Sequence, residues 1–299
     1  MRNRNPGKIC EHMWYLGREE SGIYLVEGSD CSMIISGGMS YITPDVLTQL
    51  KEFAIDETKI QKLLILHSHF DHVGLVPMFK KRLKDLTVYA SHYAWETLQD
   101  IEEIHKINSF NTIEMQLLNV SFDLTRYDLL WGNDLDGITV SEGDSIDLGR
   151  FHIEILETPG HSKCSISAYI PQIKALFPSD SGGIPFKNSI ITSGNWNYTE
   201  FQKSLRKLNS LDVDYLCADH YGYVTGPEAR EFISETIQTS YQFCAMIKAV
   251  YRRAGSVEKT VKQMIKYTFG IHKEYFLSPD ILQEVYSPMI RHIIFEMGI

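Results

Sequence analysis

A six-residue segment, HSHFDH at 67–72, constrains this 299-residue chain more than any other part of its sequence. It follows a continuous apolar run at 60–66 and precedes a stretch at 73–83 in which apolar residues recur at helical spacing. This pattern predicts a buried strand, a turn and a helix, with the segment at the carboxyl end of the strand. Layered α/β proteins place their chemistry in loops at that end of the strands, so the segment is a candidate functional site.

The spacing within this segment is typical of metal ligands. Residues two apart at the end of an extended strand project to the same side, so His67 and His69 can bind one ion. The turn that follows would direct Asp71 and His72 toward a second ion. Imidazole and carboxylate ligands without a thiolate suit zinc, iron or manganese, and we therefore predict two divalent metal ions as cofactors.

Three further residues of ligand type each lie just past the carboxyl end of a later apolar strand, and they are His161, Asp180 and His220. A single histidine or aspartate in a turn is more often a capping or solvated residue than a ligand. Because all three share the same placement, they support one another. We expect them to complete a site with the residues of 67–72.

The rest of the chain alternates strands and helices and then becomes helical. Predicted strands lie at 22–27, 32–36, 86–90 and 214–218, and predicted helices at 46–53, 92–118 and 198–209. Short period-two strands from 137 to 180 would form a second sheet, and everything from 225 onward has a helical pattern. We therefore predict an α/β core over 1–224 and a helical extension over 225–299 that packs on it.

Charge and composition argue against several classes of protein. The 29 lysines and arginines against 38 acidic residues give a net charge of −9, which disfavours nucleic acid as a partner. No apolar stretch is long enough for a membrane helix, and the first residues lack the apolar core of a secretory signal. Five scattered cysteines without a CxxC pair fit reduced thiols. We expect a cytoplasmic protein with neither a membrane nor a nucleic-acid partner.

With the 67–72 segment followed in order by His161, Asp180 and His220, the chain resembles the metallo-β-lactamase superfamily over roughly residues 10–224. The resemblance implies an αββα sandwich, in which two mixed sheets lie face to face and a dinuclear metal site lies at one edge. It also implies ligand roles: His67, His69 and His161 for the first metal, Asp71, His72 and His220 for the second, and Asp180 as the bridge.

The aspartate at position 180 bears on the subclass. Common β-lactamases of this superfamily have a cysteine there, whereas hydrolases of thioesters, lactones and phosphodiesters have an aspartate, so the resemblance argues against antibiotic hydrolysis. The segment 64–80 and the helical extension are most similar to a thioesterase-type branch, which includes quinolone-signal-response and glyoxalase II-like enzymes. We therefore predict a hydrolase of a small acyl compound, a thioester of the acyl-CoA type.

The chain also departs from the family pattern. Ser179 stands where glycine is usual, and Lys163 and Cys164 follow the GHS turn where a small residue and glycine are common. Residues 218–222 differ from the usual PGHG-like turn, and within them Asp219 is placed to orient a metal-bound imidazole.

The expected mechanism uses both metals. Two cations that share a bridging water would lower its pKa to near neutrality, and the hydroxide would attack an acyl or phosphoryl centre. We predict Asp71 and Asp180 as the catalytic residues. A lactonase or a phosphodiesterase acting through the same site stays open as an alternative, and so does a regulatory or binding protein that retains the metals.

The helical extension is a candidate lid over this site. In the thioesterase-type branch the C-terminal helices close over the metals and shape an apolar pocket, so the resemblance implies the same for 225–299. Candidate pocket residues, chosen by position, are Phe186, Trp196, Tyr198, Tyr221 and Phe276. We expect a small acyl compound as the substrate and allow for a homodimer.

Overall fold

The computed structural model of the chain describes residues 1–117, 127–275 and 277–296. Its strands, in chain order, are β1 (Arg2–Asn3), β2 (Gly7–Cys10), β3 (Met13–Gly17), β4 (Gly22–Glu27), β5 (Ser32–Ile35), β6 (Ile60–Leu64), β7 (Thr87–Ser91), β8 (Ile138–Val140), β9 (Ser145–Asp147), β10 (His152–Glu157), β11 (Ile166–Ile170), β12 (Ala175–Phe177), β13 (Ile184–Phe186), β14 (Ser189–Ile191), β15 (Tyr215–Cys217) and β16 (Tyr223–Thr225). The helices are α1 (Thr43–Glu52), α2 (Val76–Arg82), α3 (His92–Gln99), α4 (Ile101–Leu117), α5 (Tyr198–Leu208), α6 (Pro227–Ala254), α7 (Val257–Ile271) and α8 (Pro279–Phe295).

The strands form two large mixed sheets and one hairpin. The first sheet has the order β2-β3-β4-β5-β6-β7-β8, antiparallel up to β5 and parallel from β5 to β8. The second has the order β1-β16-β15-β12-β11-β10-β9, in which β12 and β15 are the parallel pair. The parallel strands β5, β6 and β7 end at the same edge, which places the segment after β6 at that edge.

The two sheets pack face to face because their central strands are apolar on both sides. In β4, Tyr24 and Val26 point into the core between the sheets, while Ile23 and Leu25 point outward toward the helices. In the second sheet, Phe177 of β12 joins the inner core and its neighbour Leu176 faces the outer helices. Alternating side chains along one strand therefore build two core layers at once.

Helices cover the outer face of each sheet. Helices α1 to α4 pack on the first sheet, and α5 and α6 pack on the second, where Phe232 and Ile233 of α6 are buried. Helices α7 and α8 pack against α6 in a separate apolar cluster that contains Ile247, Met264 and Met289. The predicted αββα sandwich with C-terminal helices is thereby confirmed, whereas the boundary between a core at 1–224 and an extension at 225–299 stays a prediction.

One strand assignment is wrong. The strand at the start of the 137–180 region, β8, pairs in parallel with β7 of the first sheet and not with the second sheet. A period-two pattern indicates that a segment is extended, but it carries no information about which strand it pairs with. The short strands β1, β2, β3, β13, β14 and β16 were not predicted, and Thr225 ends β16 before α6 begins at Pro227.

In the described part of the chain, none of the helices is both long enough and apolar enough to cross a lipid bilayer.

Candidate metal centre

The predicted ligand residues lie in four loops at one edge of the sandwich. His67 follows β6, and the short 3-10 turn Phe70–His72 carries Asp71 and His72. His161 lies beyond the end of β10, Asp180 beyond β12 and His220 beyond β15. Their side chains are buried, except that His69 is more accessible. The structure thus brings together residues that are far apart in sequence, as the separation of 148 residues between His72 and His220 illustrates.

Local backbone geometry positions the loop before His161. Gly160 has a φ of 131°, and a Cβ atom built there would lie 2.1 Å from the backbone nitrogen of Phe201. Any side chain at this position would therefore collide with the start of α5. The glycine allows the turn to bring His161 into the cluster.

Six of the seven candidate ligands form two groups, and the seventh, Asp180, is grouped with His67 and His72, one from each. The nitrogen atoms of His67, His69 and His161 lie within 4.8 Å of one another, and this group corresponds to the first predicted metal position. The ligand atoms of Asp71, His72 and His220 meet the same limit and correspond to the second. Both groups have the mixed imidazole and carboxylate surroundings that divalent transition metals accept.

Asp180 lies between the two groups. Its Oδ2 is 3.3 Å from His161 Nε2 in the first group, and its Oδ1 is 3.7 Å from His220 Nε2 in the second. Burial raises the pKa of Asp180, but the surrounding imidazoles, His72 foremost, outweigh burial and hold the pKa well below its usual range. An ionised carboxylate therefore sits where a bridging ligand would be needed.

Hydrogen bonds fix the orientation of four imidazoles through the nitrogen that faces away from the centre. Nδ1 of His161 donates to the Ser193 carbonyl oxygen at 2.7 Å, and Nδ1 of His220 donates to the Glu20 carbonyl oxygen at 2.7 Å. Two further imidazoles are oriented in the same way, His72 by the Asp219 carboxylate at 2.8 Å and His67 by the Ser179 hydroxyl at 3.2 Å. With Nδ1 protonated, each ring presents a free lone pair on Nε2 to the centre, as metal-binding histidines do.

The inward nitrogen atoms lie close enough together to share bound cations. Nε2 of His161 lies 2.9 Å from Nδ1 of His69, and Nε2 of His220 lies 3.1 Å from Nε2 of His72. Nε2 of His67 is buried without a hydrogen-bond partner among the described residues. Buried polar atoms are normally satisfied, so the unpartnered Nε2 of His67 fits a bound cation. The residues present therefore fit a pair of bound divalent ions.

Electrostatics favour positive charge on the carboxylate side. Burial lowers the pKa of His67 well below its ordinary value and that of His69 to about 3. Burial acts in the same direction on His72 and His220, but the cluster's carboxylates outweigh it and raise the pKa of both. Burial raises the pKa of Asp71, yet the two neighbouring imidazoles outweigh it and leave the pKa at about 2.

A cavity of about 540 Å³ opens onto this cluster. His69, Asp71, His161 and Asp180 form its floor. The apolar side chains in its wall come from both halves of the chain and include Phe70, Ile107, Phe110, Ile191, Leu277, Ile281, Leu282 and Val285. The C-terminal helix α8 therefore supplies part of the wall of the cavity above the metal centre.

The five predicted pocket residues have different positions. Trp196 lines the cavity and is 47 % exposed. Tyr198 is instead buried against the C-terminal helices, where its hydroxyl donates to the Ser240 carbonyl oxygen. Phe186 and Tyr221 pack on each other in a small cluster behind the cavity wall, and Phe276 lies outside the described residues. The difference follows from the elements that carry these residues, because Trp196 lies in the loop before α5, Tyr198 begins α5 and Phe186 ends β13.

Sequence reasoning missed parts of the site. The carbonyl groups of Ser193 and Glu20 orient two imidazoles, but a backbone carbonyl leaves no mark on residue type. Tyr93 and Lys163 also lie in the cavity wall, with the Lys163 ammonium 3.7 Å from the centre of the Tyr93 ring. The helical extension at 225–299 was predicted to line the cavity, and Tyr275 is one of the residues that it contributes.

The fold and the cluster together define a class of protein. A profile of the metallo-β-lactamase superfamily matches residues 16–220, a range that contains all seven candidate ligands. The chain belongs to the metallo-β-lactamase superfamily.

Individual relatives are distant. The chain is 23% identical to the "Metallo-beta-lactamase fold-containing protein ST1585" of Sulfurisphaera tokodaii, over 73% of this chain and 79% of that protein. It is 25% identical to the "Probable metallo-hydrolase YqgX" of Bacillus subtilis, over 56% of this chain and 69% of that protein. A "Hydroxyacylglutathione hydrolase" of Legionella pneumophila (strain Paris) is 24% identical over 49% of this chain and 44% of its own length.

Solved structures agree on the fold. The crystal structure of the metallo-β-lactamase family protein TTHA1429 from Thermus thermophilus superimposes with a TM-score of 0.69 at 13% identity. That similarity covers 97% of this chain and 95% of the other, so it includes the C-terminal helices as well as the sandwich.

Proposed function

We propose that this protein is a dinuclear metal-dependent hydrolase of a small acyl compound, with a thioester of the acyl-CoA type as its substrate. The observation that carries the proposal is the apolar cavity that ends on the His/Asp cluster. Such a cavity would bind an acyl chain along its wall and hold the reacting carbonyl group at the floor.

The size and chemistry of the cavity support an acyl substrate. Its volume of about 540 Å³ is within the range of about 300–1,000 Å³ that small-molecule sites occupy. Charged side chains in the lining are mixed in sign, with Glu96, Glu103 and Glu284 against Lys106 and Lys163. The lining therefore has no strong net charge, and it is the apolar wall that favours an acyl chain over a phosphodiester.

The relatives support hydrolysis in general and acyl chemistry in particular. One relative is named as a metallo-hydrolase and several as hydroxyacylglutathione hydrolases, at identities of 23% to 27% over about half of this chain and of 40% over a segment of 43 residues. The name of the second group describes an acyl compound as substrate. The aspartate at position 180, the variant found in thioester, lactone and phosphodiester hydrolases, is consistent with the same chemistry.

The metals would be held by the residues of the two groups, with Asp180 between them. Zinc, iron or manganese ions bound there would supply Lewis acidity, which polarises a carbonyl group and makes water nucleophilic near neutral pH. The chain's own residues would orient this chemistry. The four hydrogen-bonded imidazoles keep their Nε2 atoms directed inward, so little reorganisation is needed during the reaction.

Asp71 lies on the cavity floor and is ionised at neutral pH, since its pKa is about 2. We assign it the role of orienting the attacking water and accepting a proton. In the overall step the water oxygen bonds to the acyl carbon and the carbon–sulfur bond breaks. The sulfur leaves with a proton, and the products are a carboxylic acid and a thiol.

A substrate panel tests the proposal. Protein loaded with each of zinc, iron and manganese would be assayed with acyl-CoA thioesters of increasing chain length, homoserine lactones and bis-aryl phosphates, beside the His69→Ala variant. We expect the highest kcat/KM for a thioester and loss of that activity in the variant. Preference for a lactone or a phosphate would replace the thioester assignment. Full metal content without turnover of any substrate would favour a binding or regulatory role.

A further inference from the structure

The hydroxyl of Ser179 joins the two halves of the metal centre. Ser179 begins the short 3-10 turn Ser179–Gly182 after β12, and it is 2% exposed. Its Oγ lies 3.2 Å from Nδ1 of His67 and donates a hydrogen bond of 2.6 Å to Oδ2 of Asp219. The same carboxylate oxygen accepts a hydrogen bond of 2.8 Å from Nδ1 of His72.

The chemistry of these groups determines which atom donates the proton in each hydrogen bond. A serine hydroxyl has one proton, and here that proton points to Asp219, so Oγ must accept the Nδ1 proton of His67. The other oxygen of Asp219, Oδ1, is buried without a hydrogen-bond partner among the described residues. Both hydrogen bonds to this carboxylate therefore arrive at Oδ2, and through them it reaches His67 as well as His72.

The two imidazoles belong to different metal positions. His67 groups with His69 and His161, whereas His72 groups with Asp71 and His220. Carboxylates that accept the outer proton of a ligand histidine increase its basicity and fix its ring. One buried carboxylate thus acts on both positions, directly on one and through a hydroxyl on the other.

The backbone at Ser179 shows that the side chain is kept in a conformation that favours glycine. Its φ is 48°, in the left-handed region. A glycine would adopt this conformation without a steric cost, but it would remove the contact with both His67 and Asp219. The side chain is therefore the feature that distinguishes this turn from one built with glycine.

We propose that Ser179 is a positioning residue that transmits the charge of Asp219 to His67, so that affinity for both metal ions depends on a single buried carboxylate. This inference rests on the proposed metal centre. It assigns to Ser179 no contact with the substrate.

Metal binding measured without any substrate tests the inference. Metal-free protein would be titrated with Co²⁺ and Zn²⁺ in competition with a chromophoric chelator, and the visible spectrum of bound Co²⁺ would be recorded. For Ser179→Ala and Ser179→Gly we expect one of the two dissociation constants to rise about ten- to a hundredfold, with a changed Co²⁺ spectrum. For Asp219→Asn we expect both dissociation constants to rise.

Ser181→Ala is the matched control. Ser181 is buried in the same turn, but its hydroxyl donates to the Thr158 carbonyl oxygen at 2.8 Å, away from the histidines. Its loss should leave both dissociation constants unchanged. The comparison of alanine with glycine at position 179 separates the hydroxyl from the backbone, because only glycine relieves the left-handed conformation.

The outcomes separate this inference from the proposed function. If the wild-type protein binds two ions and both Ser179 variants bind them with unchanged constants and spectrum, the inference is wrong and the proposed function stands. If the Ser179 variants change only the melting temperature, the inference is also wrong, because Ser179 would then have a purely structural role. If the wild-type protein binds neither ion, the proposed function and this inference are both overturned.

Discussion

The floor and the wall of the cavity are built in opposite ways. The floor is the face of a cluster of imidazoles and carboxylates in which four imidazoles are held by directional hydrogen bonds. The wall is mainly apolar, and the side chains that α8 contributes to it, such as Ile281, Leu282 and Val285, make packing contacts. Directional contacts tolerate almost no displacement, whereas packed apolar side chains tolerate exchange of similar volume. Chemistry should therefore depend on the floor, and substrate choice on the wall.

The largest effect is expected from the centre of the floor. Asp180→Asn removes the charge of the carboxylate between the two ligand groups while keeping its size. We expect metal content to fall below two ions per chain and kcat/KM to fall about a thousandfold, which corresponds to about 4 kcal/mol. Elemental analysis and the thioester assay measure the two quantities.

The control for this variant is Asp212→Asn, a solvent-exposed carboxylate paired with Lys174 on the far side of the second sheet. It should retain both ions and full activity. Two ions per chain and wild-type activity in Asp180→Asn would show that the floor does not work as we describe.

The second test concerns helix α4, which lies beside both the floor and the wall of the cavity. Glu114 of this helix is buried, and one of its carboxylate oxygens has no partner among the described residues. Burial, with a further contribution from the carboxylate of Asp71, raises the pKa of Glu114 from 4.5 to about 7. The folded state thus binds a proton that the unfolded chain releases, so this group lowers the stability as the pH rises between these two values.

Glu114→Gln should remove this pH dependence. We expect the free energy of unfolding of the variant to match that of the wild type near pH 4 and to exceed it by about 3 kcal/mol near pH 8. Urea denaturation of metal-free protein at both pH values measures the difference. Glu102→Gln, an exposed position on the same helix, is the control. Parallel stability curves for wild type and Glu114→Gln would contradict the prediction.

The smallest effect is expected from the wall. Ile281→Phe adds volume to a cavity-lining position of α8. We expect kcat/KM for the longest acyl chains to fall about tenfold, with short chains and metal content unaffected, because each displaced methylene is worth about 1–3 kcal/mol. The control is Ile271→Phe on α7, where the side chain is 54% exposed, and it should change neither kcat/KM nor the metal content. An equal loss for all chain lengths would mean that α8 acts on the floor and not on the acyl chain.

Much of the floor could be predicted from local sequence. The ligand residues follow apolar strands, and a strand followed by a turn places its last side chains at the sheet edge whatever the rest of the chain does. For the same reason Asp219, next to His220, could be expected to orient an imidazole, although the structure shows that His72 is the one it contacts. Whether Asp219 contacts His72 or His220 depends on the distances between loops, and local sequence patterns contain no information about those distances.

The sequence by itself determined the kind of chemistry, because residue types and their spacing decide which side chains can bind a metal. It also determined the layered class of fold, because strand and helix periods are local properties. Only the tertiary structure decided that β8 joins the first sheet, that Trp196 lines the cavity while Tyr198 is buried elsewhere, and that Ser179 connects two histidines. These are long-range contacts, and they depend on how whole layers pack against each other.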